Sequence, residues 1–281
     1  MTGHPYISTE DAIKLMRADP RYAALIRDTF LDVDASAASA RFEASGEWTA
    51  VRALLGPAIA GAVAVDLGAG NGIASRALAH AGAARVVAIE PDPSNEIGRG
   101  AITRVCSGLP VEIVAAWGEL LPLPDGSVDI VFARQVLHHT RDLAQTLREC
   151  ARILRSGGSF LACREHVANT PEELAVFLAG HPVHQLTGGE NAYSLDEYRA
   201  AIEGTGMRIE REIGPWDSVI NLSPAVVADS EIAELPQRLL RERLGRFGSL
   251  LSRLPGVIAL VGRHLRRPRP GRLYSFLAIK P

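Results

Sequence analysis

The chain has 281 residues, with 30 lysine and arginine against 32 aspartate and glutamate, three cysteines and a formal net charge of −2. That length suits one large α/β domain with an appendage or two smaller domains, and a hydrophobic share of 47% can bury a sizeable core. There is no run of ~18 apolar residues to span a bilayer. The start lacks the basic flank and apolar block of a leader, so a cytoplasmic location is expected. Cys106, Cys150 and Cys163 form no CxxC pair, which argues against a disulfide framework or a thiolate zinc site. Only Lys14 and Lys280 are lysine, an arginine bias typical of a GC-rich bacterial genome.

Residues 1–60 read as a helical cover, opened by a capping arrangement at Ser8–Asp11 and continued by helices over Ala12–Ala18, Tyr22–Phe30 and Ser45–Leu55. From residue 61 short β-branched runs alternate with helical patterns. Strands are expected at Ala62–Leu67, Arg85–Glu90, Val111–Ala116, Asp129–Ala133 and Ser159–Arg164. Helices are expected at Ile73–Ala81, Ser94–Val105 and Asp142–Leu154. Continuous apolar strands separated by helices predict a doubly wound, mostly parallel sheet covered on both faces. A capping box at Ser194–Glu197 opens a helix over Leu195–Glu203, and strands follow at Met207–Ile213 and Leu273–Ile279. The core is thus placed at 61–216 plus 273–281, with 217–272 as a helical insertion before the last strand.

The strongest local signal is Asp66-Leu67-Gly68-Ala69-Gly70-Asn71-Gly72, between a strand and a helix. Glycines there allow a tight turn and close approach to a ligand. Glu90, ending the next strand, can accept both hydroxyls of a ribose at the carboxyl edge of the sheet. The spacing is G-x-G-x-G, not the G-x-G-x-x-G that faces a pyrophosphate, and Ile73 occupies the third-glycine position. A nicotinamide oxidoreductase is therefore disfavoured.

These residues, with Leu121-Pro122-Leu123-Pro124-Asp125-Gly126-Ser127-Val128-Asp129, Leu137-His138-His139 and Arg152-Ile153-Leu154-Arg155-Ser156-Gly157-Gly158, resemble a class I S-adenosylmethionine-dependent methyltransferase over residues ~62–165. The resemblance implies a seven-stranded Rossmann-like sheet. It also implies S-adenosyl-L-methionine as cofactor, with S-adenosyl-L-homocysteine as product. Asp66, Gly68, Gly70 and Gly72 would then surround the methionine part and Glu90, followed by Pro91, the ribose. Trp117, Gly118 and Glu119 would lie by the adenine, with Ala133 at the end of the fourth strand. The family often has Asp-Ala where this chain has Trp117-Gly118, so a backbone carbonyl or stacking on Trp117 would have to replace a carboxylate.

Methyl transfer mainly requires alignment of a nucleophile, with a base only where the nucleophile holds its proton. His139 and His166 follow the fourth and fifth strands and are the candidate catalytic residues; His138, Arg134, Gln135 and Glu165 are further candidates for the pocket. The stretch His181 to Tyr193 reads as a substrate-contacting loop that offers His181, His184, Glu190, Asn191 and Tyr193. A metal site from His181, His184 and Glu190 is the sharper alternative and an ordinary surface loop the plainer one; no metal is expected.

Between Gln237 and Arg272 there are ten arginines and one glutamate, a local charge of +9 that leaves −11 on the other 245 residues. Leu240, Leu244, Phe247, Leu251 and Leu254 form one helical stripe there. Three readings stand: packing on the core or on a second copy in a homodimer, a lid over an acidic or phosphorylated substrate, or docking on an anionic membrane. The chain after the fourth strand lacks the Pro-Pro-aromatic motif of amino-methylating DNA enzymes, and no nucleic acid partner is expected. The expected function is O-, N- or C-methylation of a small molecule, such as a glycan or natural-product precursor. A non-catalytic cofactor-binding module and an enzyme acting on a lipid-linked substrate are the alternatives.

Overall fold

In the computed structural model residues 6–281 are described; the first five, over which the expected helical cover was drawn, lie outside the described residues. Ser8 caps α1 (Thr9–Ala18), its hydroxyl accepting the Asp11 N–H at 3.1 Å. The next helix, α2 (Ala23–Asp28), is shorter than the expected Tyr22–Phe30, because Phe30 takes the left-handed conformation (φ 60°). A helix not anticipated, α3 (Ala35–Glu43), is capped by Asp34, which accepts the Ser36 and Ala37 N–H groups. Ser45 caps α4 (Gly46–Leu55) in the same way.

The remaining chain supplies the sheet and its coverings. In order these are β1 (Val63–Leu67), α5 (Ile73–His80), β2 (Arg85–Ile89), α6 (Arg99–Val105), β3 (Val111–Val114), β4 (Val128–Arg134), α7 (Leu143–Ile153) and β5 (Leu154–Val167). Then follow α8 (Pro171–Gly180), α9 (Pro182–Thr187), α10 (Leu195–Glu203), β6 (Arg208–Ile213), α11 (Val219–Leu222), α12 (Leu235–Leu251), α13 (Pro255–Leu265) and β7 (Arg272–Ile279). The expected helix over Ser94–Val105 begins only at Arg99, since Ser94 instead caps a turn by accepting the Glu96 and Ile97 N–H groups. β5 runs longer than expected, with a register shift opposite β4 that absorbs Gly157-Gly158.

The seven strands lie in the order β3-β2-β1-β4-β5-β7-β6, the first five parallel and β7 antiparallel to both neighbours. Alternation along β4 divides the core. Ile130 and Phe132 join Phe42, Trp48, Leu78 and Leu161 on one face, while Val131 and Ala133 join Leu147, Phe160, Tyr198 and Phe276 on the other. The chain winds from β1 outward to β3 and returns to β4 on the opposite side. The carboxyl ends of β1 and β4 therefore diverge, and the crevice between them is where ligands bind in such sheets.

The insertion is not one unit. Val219, Val226, Ile232 and Leu235 form a small buried cluster beside Trp216, and Ile220 enters the core with Phe42. α12, whose first turn joins this cluster through Leu235, packs along α13. The expected single stripe is broken at Gly245 (φ 52°, ψ −127°), where α12 kinks. Leu244, Phe247 and Leu254 are 47%, 62% and 50% exposed.

Candidate active site

Between β1 and α5 the chain must turn sharply, and Gly68, Gly70 and Gly72 all adopt positive φ. A Cβ on Gly68 would lie 2.2 Å from Val136 Cγ2, so the loop's first glycine is set by the segment that follows β4. Glu90 holds the loop from the other side: its Oε2 accepts the Gly70 N–H and its Oε1 the Asp92 N–H, both at 2.8 Å. Each oxygen keeps a lone pair for a diol. Burial raises the Glu90 carboxyl's pKa. Asn71 donates to the Phe30 carbonyl at 2.7 Å, fastening the loop to the helical cover.

Asp66 is buried and accepts the Ser75 hydroxyl at 2.6 Å; burial pushes its carboxyl up to about 7, against the lowering effect of Ser75. A carboxylate so poorly hydrated favours a cationic neighbour. The cradle thus suits a ligand with a ribose and a positive charge, which is what the resemblance implies for Asp66, Gly68, Gly70, Gly72 and Glu90. Pro91 directs its carbonyl to Arg99. Ala133 is fully buried, paired with Leu67 and Ala162.

The adenine side is less regular. Trp117 is 58% exposed, with the Arg141 guanidinium 5.1 Å above its ring. Gly118 is required because a Cβ would come 2.9 Å from Thr146. Glu119 accepts the Arg141 N–H at 2.9 Å, which engages this carboxylate in the turn before α7.

Beyond β4 the backbone enters the left-handed region at Gln135 (φ 54°), whose N–H donates to the Cys163 carbonyl. Strain of this kind is held by its surroundings. It turns Val136 onto Gly68 and starts the short 3-10 turn Leu137–His139. Glu165, fully buried on β5, accepts the Val136 and His138 N–H groups at 3.1 and 3.2 Å and contacts His138 Nδ1 at 2.7 Å. The glycine loop and the histidine turn therefore share one wall. Burial pushes the His138 ring's pKa well down.

Two expectations are corrected. Arg134 is not an open pocket residue: it makes a buried bidentate pair with Glu47 of α4 (2.6 and 3.1 Å), and Arg164 lies 3.8 Å from the same carboxylate. His166 is a poor base, because burial pushes its ring down to about 4 and its Nδ1 faces the Gly271 carbonyl at 2.8 Å. It packs between His138, Phe177 and His181 as a wall. Of the histidines in this group, His139 is the accessible one, at 42% side-chain exposure.

The stretch from His181 is partly helical rather than a loop. His181 caps α9, its Nδ1 accepting the His184 N–H at 3.4 Å, a role outside the usual capping residues and so not anticipated. His184 does not join the other imidazoles, and its Nδ1 is buried without a partner among the described residues. The grouping His181, His184 and Glu190 is therefore not formed. Glu190 instead lies 3.7 Å from His139 Nε2, 3.9 Å from His138 Nε2 and 3.9 Å from His181 Nδ1. Tyr193, with Asn191 beside it, donates its hydroxyl to the Thr140 carbonyl at 2.7 Å and so ties this segment to the histidine turn. Glu47, Ser75 and Val136 escaped the sequence reading; their partners are distant in sequence and no motif marks them.

A family profile described as "Methyltransferase domain" matches residues 65–162. The chain is 28% identical over 167 residues to the ubiquinone biosynthesis O-methyltransferase of Rhizobium etli, covering 57% of this chain and 66% of that enzyme. It is 36% identical over 98 residues to the sarcosine/dimethylglycine N-methyltransferase of Halorhodospira halochloris, covering 34% of this chain and 35% of that enzyme. The chain thus spans at most about two thirds of the length of these curated relatives. Among solved structures, an S-adenosylmethionine-dependent methyltransferase from Mesorhizobium loti shares the fold at a TM-score of 0.56 and 18% identity, over 84% of this chain and 98% of that one.

Proposed function

We propose that this chain, a class I S-adenosylmethionine-dependent methyltransferase, methylates a small organic acceptor seated against the histidine turn. The observation that carries this reading is the shared wall. Val136 touches Gly68 on one side and donates to Glu165, the partner of His138, on the other. The cofactor supplies an electrophilic methyl carbon; the chain's own residues orient and desolvate. Glu90 and the glycine loop hold the ribose side, Asp66 favours positive charge, and His138, His139, His166 and Glu190 form the polar surface that meets the acceptor. Positioning of this kind can account for most of the acceleration. The named relatives methylate oxygen in one case and nitrogen in the other, so the atom methylated depends on this surface. A glycan or natural-product precursor suits such a polar wall.

Calorimetry on the full, cofactor-free chain tests the reading. S-Adenosylhomocysteine is expected to bind, and His139→Ala is expected to retain that affinity while losing turnover of any acceptor found by screening with radiolabelled cofactor. Absence of S-adenosylhomocysteine binding by the wild-type chain overturns it.

A second reading concerns where the acceptor resides. The pair α12–α13 exposes Leu244, Phe247, Leu250, Leu254 and Leu260 within the segment of net charge +9. An apolar ridge flanked by arginine suits the interface of an anionic membrane, where a lipid-linked acceptor would be met. Among the described residues no helix is long and apolar enough to cross a bilayer, so this contact would be peripheral.

A further inference from the structure

We propose that His138, His139 and Glu190 form a binding site for one first-row divalent transition metal ion. One ligand atom from each lies within 4.8 Å of the others. Glu190 Oε2 stands 3.7 and 3.9 Å from the two Nε2 atoms, too far for hydrogen bonds. Ligands at ~2.0–2.2 Å around one tetrahedral ion are separated by roughly 3.4 Å, so a small inward movement brings the three donors to coordinating distance. Among the described residues the Glu190 carboxylate, only 7% exposed, has no hydrogen-bond donor; its neighbours are imidazoles. A carboxylate facing imidazole nitrogens in this way is disposed to receive a cation between them.

The supporting shell is already built. His138 is fixed through Nδ1 by Glu165 at 2.7 Å, which leaves Nε2 directed toward Glu190. A carboxylate behind a histidine is the usual arrangement for setting ring orientation and ligand basicity at a metal. Glu165 is held in turn by the Val136 and His138 N–H groups. On the other side, the Tyr193 hydroxyl anchors the Glu190 segment to Thr140, directly after His139. His181 stays outside the set, its Nδ1 engaged at the start of α9. Two imidazoles and one carboxylate favour zinc, cobalt, nickel or iron over magnesium and calcium. Three protein ligands leave coordination positions open, as in catalytic rather than structural sites. Resting on the methyl-transfer reading, a further consequence is that an acceptor hydroxyl bound there releases its proton to water more readily.

The test uses the full chain, freed of any affinity tag and stripped with a chelator, titrated with Co2+ and followed by its visible ligand-field bands. One equivalent is expected to bind. His139→Ala and Glu190→Gln should each weaken binding at least tenfold, and Glu165→Gln by about 10–100-fold. Far-UV circular dichroism, measured on the same preparations, reports that each variant remains folded, and S-adenosylhomocysteine affinity is measured separately. Absence of saturable binding at one equivalent overturns the site, as does equal affinity in the wild type and in folded His139→Ala or Glu190→Gln. Because metal and S-adenosylhomocysteine titrations are separate, failure of one leaves the other standing.

Discussion

Glu90 organises the glycine loop, and in the proposed reading its remaining lone pairs would meet the cofactor's ribose. Glu90→Ala frees the Gly70 and Asp92 N–H groups as well as the ligand, and S-adenosylhomocysteine affinity should fall at least tenfold, or about 1.4 kcal/mol, by calorimetry. Asp66 predicts a pH effect. Its carboxyl titrates near 7 in the fold and near 3.8 when exposed on unfolding. The folded state therefore binds the proton more strongly. The associated stability is complete below pH 3.8 and is lost as pH rises through about 7, at up to roughly 4 kcal/mol for a fully buried group. Asp66→Asn removes that dependence, so the fall in melting temperature between pH 5 and pH 8 should be smaller in the variant. An identical fall in both proteins would mean that Asp66 is ionised throughout.

Elements are joined to the sheet by unequal means. α4 is clamped to β4 and β5 by Glu47, which lies between Arg134 and Arg164. Glu47→Ala leaves two buried guanidinium groups without their carboxylate and should cost about 3–5 kcal/mol in chemical denaturation. This clamp shows where sequence reading ends. The parallel strands were legible because unbroken apolar runs such as Ile130–Ala133 alternate with helices, and the glycine loop was legible because its spacing reports a backbone shape. The Glu47–Arg134 pair joins residues 87 apart in sequence, and neither carries a local pattern. α3 passed unnoticed because its alanine and serine content gives weak periodicity, although Asp34 was a usable capping signal. The histidine turn was visible as a motif, but its pairing with Glu190 depends on the β5–Tyr193 bridge and on α9. The straight helical stripe failed at Gly245, whose left-handed conformation cannot be read from the spacing of leucines.

At the scale of the molecule, charge and apolar exposure coincide on α12–α13. The full chain should sediment with phosphatidylglycerol-containing vesicles, less so as salt rises, and Phe247→Ser with Leu250→Ser should weaken the association. Equal association with neutral vesicles, or none with anionic ones, rejects the membrane reading. A dimer in light scattering that dissociates in the same double variant would show that a second copy covers the ridge. The sheet has another whole-molecule property. β7 lies between β5 and β6 although it follows both in the chain. During synthesis β6 has no neighbour within the sheet until residues 272–279 leave the ribosome, and the outer edge of β5 stays open for the same interval. The nascent chain thus carries two unsatisfied strand edges while α12 and α13 are being made, and chaperones or a co-translational partner have their opportunity then. A stalled ribosome holding the chain just before β7 should present β6 to protease, whereas release of the last strand should protect it in a single step.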